Sequence, residues 1–222
     1  MQSIDLRPRI TTVAGGLGLM VGGGIGVILA TAVPVFGGLP FPILWELSVV
    51  SDLFLLAAAV ILALGIFREP GIVGVSPIGK IALVVFGARN LVFLIVGAIP
   101  YGPDGFPAAI FLNAGLSVIF AIAAIVAAVF VARARVLSGL ARWVLAVVAI
   151  CYAVITALML FPVIEIAQFL AAVRVDIVLP VSFVVLGVVY LFQRRIAAKE
   201  TLGGNREDCA TGSVLRPRRP GP

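Results

Sequence analysis

Between Thr11 and Gln193 the chain is a succession of long apolar runs separated by short polar or Pro/Gly-rich breaks. This pattern constrains the fold more than any other feature. A run of about 18 or more apolar residues is long enough to cross a ~30 Å hydrocarbon core as a helix. With no water in that core, backbone N–H and C=O groups are satisfied only inside helices or closed barrels. Overall the sequence is 62% hydrophobic and 12% charged. Soluble domains carry roughly twice that share of charge. The expectation is an all-α polytopic membrane bundle with the lipid bilayer as its environment.

Run length places six transmembrane helices at about 11–36, 43–67, 81–100, 107–131, 143–163 and 174–193, within a membrane domain covering 1–195. The breaks GGLPFP at 37–42 and PYGPDGFP at 100–107 carry turn chemistry. Trp45, Tyr101 and Trp143 fall near span ends, where amphipathic rings favour the headgroup layer. Arg7 and Arg9 precede span 1, Arg68 and Lys80 flank the loop between spans 2 and 3, and Arg133, Arg135 and Arg142 separate spans 4 and 5. Arg194, Arg195 and Lys199 follow span 6, whereas the intervening loops hold one basic residue, Arg174. Every second loop is basic, so both termini are expected on the cytoplasmic side.

The +6 net charge has its source in these loops and in the tail, which topology explains without nucleic acid. The tail, 196–222, has too little apolar surface to fold alone and is expected to be a disordered basic cytoplasmic segment. Arg7, Arg9 and Ala30-Thr31-Ala32 resemble a cleavable signal peptide. The apolar stretch between them is nearer 20 residues than the usual 7–15, which favours a retained span. Arg outnumbers Lys fourteen to two and Ala, Gly, Val and Pro abound, usage that fits a GC-rich prokaryotic genome and a bacterial plasma membrane.

Span 1 contains GGLGLMVGGGIG, residues 15–26. It lacks the Lys-Ser/Thr ending of a P-loop, and Val21 stands where a dinucleotide fingerprint needs its third glycine. Ala14, Gly18, Gly22, Gly26 and Ala30 recur every four residues. Such a small-xxx-small ridge lets another helix approach closely, with Gly18, Gly22 and Gly26 as its packing residues. The partner is expected to be another span of the chain, a second copy or a separate membrane protein, with the internal partner favoured.

Ionisable groups inside the membrane cost several kcal/mol unless paired or wetted, so they lead the search for a site. Asp52 on span 2 and Arg89 on span 3 come to similar depths, about 14 Å and 12 Å from opposite surfaces, which allows an ion pair near the midplane. Ser48 shares a helix face with Asp52 and Trp45, Asn90 adjoins Arg89, and Asn113 shares a face of span 4 with Ser117. Glu46 lies on another face of span 2. Glu165, Gln168, Arg174 and Asp176 gather at the outer ends of spans 5 and 6, so polar groups are biased outward, as around an outward-facing vestibule. The substrate or ion-binding candidates are therefore Asp52, Arg89, Asn90, Asn113 and Ser48. The competing reading of these residues is structural, with buried pairs and hydrogen bonds fixing helix register. Pro180 is expected to kink span 6.

Catalysis finds little support. The chain has no histidine, which removes His-based acid/base chemistry and His ligation of metal or haem together. Cys151 has no adjacent cation to activate it, and both lysines lie at or beyond span ends. No catalytic residue, metal or cofactor is expected. The expected function is a small-solute or ion transporter or binding protein with an outward-facing polar site. The alternative is a non-catalytic membrane component that packs with a partner or with itself through the glycine ridge.

Overall fold

The computed structural model describes residues 10–35, 41–66, 71–100, 106–137, 141–160 and 177–192. Glu165, Gln168, Arg174, Asp176 and the tail lie outside the described residues. Among the described residues six helices form: α1 (Ile10–Val35), α2 (Phe41–Leu64), α3 (Pro77–Gly97), α4 (Phe106–Ala134), α5 (Ala141–Leu160) and α6 (Ile177–Phe192). Among the described residues there is no strand. The first five are long and apolar enough to cross a membrane, while the 16 described residues of α6 extend about 24 Å. The chain is a multi-pass helical membrane bundle.

The outer surface supports that statement independently. Ile28, Ile81, Phe111 and Val147 are all more than half exposed, on four different helices. Helices that are apolar all round need lipid on the faces that protein does not cover. Association then depends on close packing and small residues rather than on the hydrophobic effect. Accordingly the core is rich in alanine: Ala63, Ala124 and Ala127 are fully buried.

Helix α1 packs along α2, α2 along α3, α3 along α4 and α4 along α5. The glycines of α1 serve two neighbours. A Cβ on Gly18 would sit 2.9 Å from Ala58 Cβ, and one on Gly22 would sit 2.8 Å from Leu55 Cγ and 2.9 Å from the Ser51 carbonyl oxygen, all on α2. On the other flank, a Cβ on Gly16 would meet the Gly187 carbonyl at 3.0 Å and one on Gly23 the Pro180 carbonyl at 2.8 Å, both on α6. Gly26 also faces α6, through the Pro180 ring. The ridge is thus covered within the chain, between two helices. Ser51 Oγ donates a 2.8 Å buried hydrogen bond to the Gly22 carbonyl and ties α2 to α1 at this crossing.

The two ends of the bundle differ. At the end holding the start of α1, Ile66 N–H donates to Thr11 Oγ1 at 2.9 Å. The chain then turns back on α2, with Ile72 N–H donating to the Leu62 carbonyl at 2.8 Å. Gly65 and Gly74, at φ 81° and 69°, supply the left-handed conformations this reversal needs. The turn buries Ile72 and Val73 to 1% and 2% exposure, and Leu137, from the α4–α5 connection, is buried as well. Ser76 then caps α3 by accepting from Gly79 N–H, and Pro77 takes the first helical position. The sequence alone reads 68–80 as a loop between basic flanks. In the structure this loop contributes an apolar plug, because its Gly-Ile-Val-Gly core can fold inward while Lys80 stays outside the buried set.

Candidate functional site

At the opposite end the helices part. Between α1, α2 and α3 lies a cleft of about 440 Å³, lined by Gly26, Leu29 and Ala30, by Ser48, Ser51 and Asp52, and by Arg89, Asn90, Phe93 and Leu94. Its volume falls in the range of pockets that take small organic molecules. Helical spacing accounts for the polar wall from α2. Ser48, Ser51 and Asp52 stand at i, i+3 and i+4 and so share one face. Asp52 is 7% exposed, and Ser51 is 3% exposed. Both serines have their hydrogens engaged elsewhere: Ser48 Oγ donates to the Leu44 carbonyl at 2.9 Å, and Ser51 Oγ to Gly22 as above. Their oxygens keep acceptor capacity beside the Asp52 carboxylate.

The wall from α3 is organised around Arg89. Its Nε and Nη2 both donate to Asn90 Oδ1, at 3.0 and 2.6 Å. Its guanidinium carbon lies 4.6 Å from the centre of the Tyr152 ring on α5, a cation–π arrangement. Tyr152 in turn packs against Phe86 of α3, which also meets Phe183 of α6, with ring centroids 5.8 and 5.9 Å apart. An aromatic layer therefore underlies the cleft and supports the guanidinium. Arg89 Nη1 is buried and has no hydrogen-bond partner among the described residues.

The depth-matched charges do reach one cavity, as expected, but they do not close an ion pair. Arg89 and Asp52 interact through space without a contact inside 4.0 Å. The neighbouring Asn90 side-chain oxygen and the Tyr152 face hold the guanidinium on its own side, and Asn90 stands between the charges with its side chain near Asp52 as well. Of the five sequence candidates, Asp52, Arg89, Asn90 and Ser48 line the cleft. Asn113 is not among its lining residues. It is exposed on α4, and its carbonyl accepts from Ser117 Oγ at 2.8 Å, a local bond inside the helix. Trp45, 38% exposed, and Glu46 also lie outside the cleft. Pro180 lies in the first described turn of α6, where it meets Gly23 and Gly26.

Sequence reasoning passed over Ser51 and Tyr152. A signal existed for Ser51, three residues past Ser48 and adjacent to Asp52. Tyr152 sits in an apolar run on another helix, and no spacing rule linked it to Arg89.

Beneath the aromatic layer the bundle is tightly packed. A small void of about 20 Å³, wholly apolar in lining atoms, lies between residues that include Leu62, Ile72, Leu145 and Tyr190. The Tyr190 hydroxyl is buried there without a partner among the described residues. No group of three or more Cys, Asp or Glu side chains capable of holding a metal occurs among the described residues.

The fold and cleft together define a class: a multi-pass helical membrane protein with a cleft of mixed lining, holding Asp52, Arg89 and Asn90, set toward one end of the described bundle. No protein-family model matches the chain, and neither does any curated protein or any solved structure.

Proposed function

We propose that the protein binds a small polar solute or ion in the α1–α2–α3 cleft, as a membrane-embedded binding protein or the binding half of a transporter. The observation that carries this reading is convergence. The two mid-helix charges of the described spans, Asp52 and Arg89, and the polar groups beside them line one 440 Å³ volume without closing a direct ion pair. A purely structural pair would gain most by direct contact, since charges held apart in a low-dielectric interior forgo their mutual attraction. By the distribution of basic loops the cleft opens toward the outside of the cell membrane. The role is one of binding rather than catalysis. The alternative, an assembly component docking through span 1, drew on a glycine ridge that α2 and α6 occupy.

The reading requires that the cleft be wet. In a chain carrying Cys151→Ala and Cys209→Ser, Ser48→Cys is expected to react with a membrane-impermeant thiol reagent added outside, and Val147→Cys on the lipid-facing side of α5 is not. A folded Ser48→Cys variant whose thiol stays unreactive would refute the site.

A further inference from the structure

The cleft holds one carboxylate and one guanidinium that share a volume and are linked through Asn90 rather than by a direct ion pair. Three features decide what could satisfy both. On the α2 wall the groups are acceptors: the Asp52 carboxylate and two serine oxygens whose hydrogens already point to the Leu44 and Gly22 carbonyls. On the α3 wall Arg89 brings the donors: Asn90 accepts two of its five guanidinium N–H bonds, and Nη1, buried, makes no hydrogen bond among the described residues. Between and around them stand Leu29, Phe93 and Leu94, apolar side chains that offer no hydrogen bonds.

A lone cation would answer Asp52 and leave the guanidinium donors unmet. A lone anion would do the reverse and leave the Asp52 carboxylate with Asn90 as its side-chain partner but no cation in contact. An unmet buried donor or acceptor costs about 1–3 kcal/mol, and more when charged. We infer that the occupant is a small zwitterion, with an ammonium on the Ser48–Ser51–Asp52 wall and a carboxylate or phosphate on Arg89. This deepens the proposed function and rests on it. A complex of that kind is electrically balanced at each end, so neither wall is left with unpaired charge. Two sources offer this chemistry: a free amino acid from water, or the headgroup of an aminophospholipid entering from the bilayer.

The test uses the full purified chain and reads the thermal unfolding midpoint against ligand concentration, since a ligand of the native state raises apparent stability. The soluble probes are glycine, β-alanine and γ-aminobutyrate, which set the two charges progressively further apart, with methylammonium and acetate as single-charge controls. The lipid probes are nanodiscs of phosphatidylethanolamine or of phosphatidylglycerol. The expected result is a saturable rise with one member of the amino-acid series, or with phosphatidylethanolamine over phosphatidylglycerol. The rise should exceed those of the two controls together, and its apparent affinity should fall at least tenfold in Asp52→Asn. Should that variant fail to fold, Ser48→Ala leaves the backbone untouched and is expected to weaken the same response several-fold. Equal stabilisation by methylammonium or acetate alone would overturn the zwitterion while leaving the site in place. No response to any zwitterion, in a protein whose Ser48→Cys variant reacts with the thiol reagent from outside, would likewise overturn the inference alone. An unreactive thiol in that variant would remove the underlying site as well.

Discussion

Replacing Gly22 by alanine adds one methyl group at a close approach of α1 to the backbone of α2. Its carbon would lie 2.8 Å from Leu55 Cγ and 2.9 Å from the Ser51 carbonyl oxygen. Ordinary contact begins about half an ångström further out, and close-packed interiors leave no slack to absorb the difference. Leu55 can turn, but the Ser51 oxygen belongs to the backbone of α2, so the helices must separate. Separation stretches the 2.8 Å bond from Ser51 Oγ to the Gly22 carbonyl, the buried side-chain tie at that crossing. Overpacking of this kind costs about 1–3 kcal/mol, and a membrane-buried hydrogen bond averages about 0.6 kcal/mol. Gly24 supplies the control, because a Cβ there meets nothing within 4 Å. Both substitutions carry the same gain in helix propensity, at most about 1 kcal/mol, so their difference isolates the clash. In reversible unfolding from detergent micelles, Gly24→Ala is expected to match or exceed the wild type, and Gly22→Ala to fall about 1–3 kcal/mol below Gly24→Ala. Gly22→Leu should not yield a folded bundle. Equal stability of the two alanine variants would refute the close crossing and the argument built on it.

Three further outcomes are expected. Tyr190→Phe removes a buried hydroxyl that has no partner among the described residues, so stability should hold or rise by up to about 1 kcal/mol; a clear loss would reveal a partner for that oxygen. Thr11→Val withdraws the acceptor for Ile66 N–H and should cost about 1–3 kcal/mol, with faster hydrogen exchange at the Ile66 amide as the local signature. Ile72→Ala hollows the plug between α2 and α3 and should cost about 2–5 kcal/mol by unfolding, whereas the same change at exposed Ile78 should be nearly silent.

The helical membrane bundle and its number of helices were legible because the length of an apolar run is a direct physical requirement of the bilayer. Membership of the cleft was legible in part for a similar reason: depth along a helix follows from 1.5 Å per residue, and it put Asp52 and Arg89 at one level. What stayed hidden was rotation. A ridge read at every fourth residue drifts about 40° per step on a helix of 3.6 residues per turn. Gly18 and Gly22 therefore face α2, while Gly26 has swung to Pro180 on α6, and the single stripe is two grooves. Depth likewise could not tell that Asn113 looks away from the bundle, or that Arg89 would rest on Tyr152 from a helix two connections away. The inward fold of Ile72 and Val73 depends on two left-handed glycines whose role shows only once the turn is built.

That tucked turn bears on what occupancy of the cleft would report. Among the described residues, the aromatic layer and the plug leave the cleft continuous with one end of the bundle and not with the other. A site that exchanges with a single compartment comes to equilibrium with that compartment alone, whatever the concentration across the membrane. Filled or not, it dissipates no gradient. If the cleft binds as proposed, the molecule in this conformation would act as a gauge of one side, and moving an occupant across would require Ile72 and Val73 to leave the core they complete.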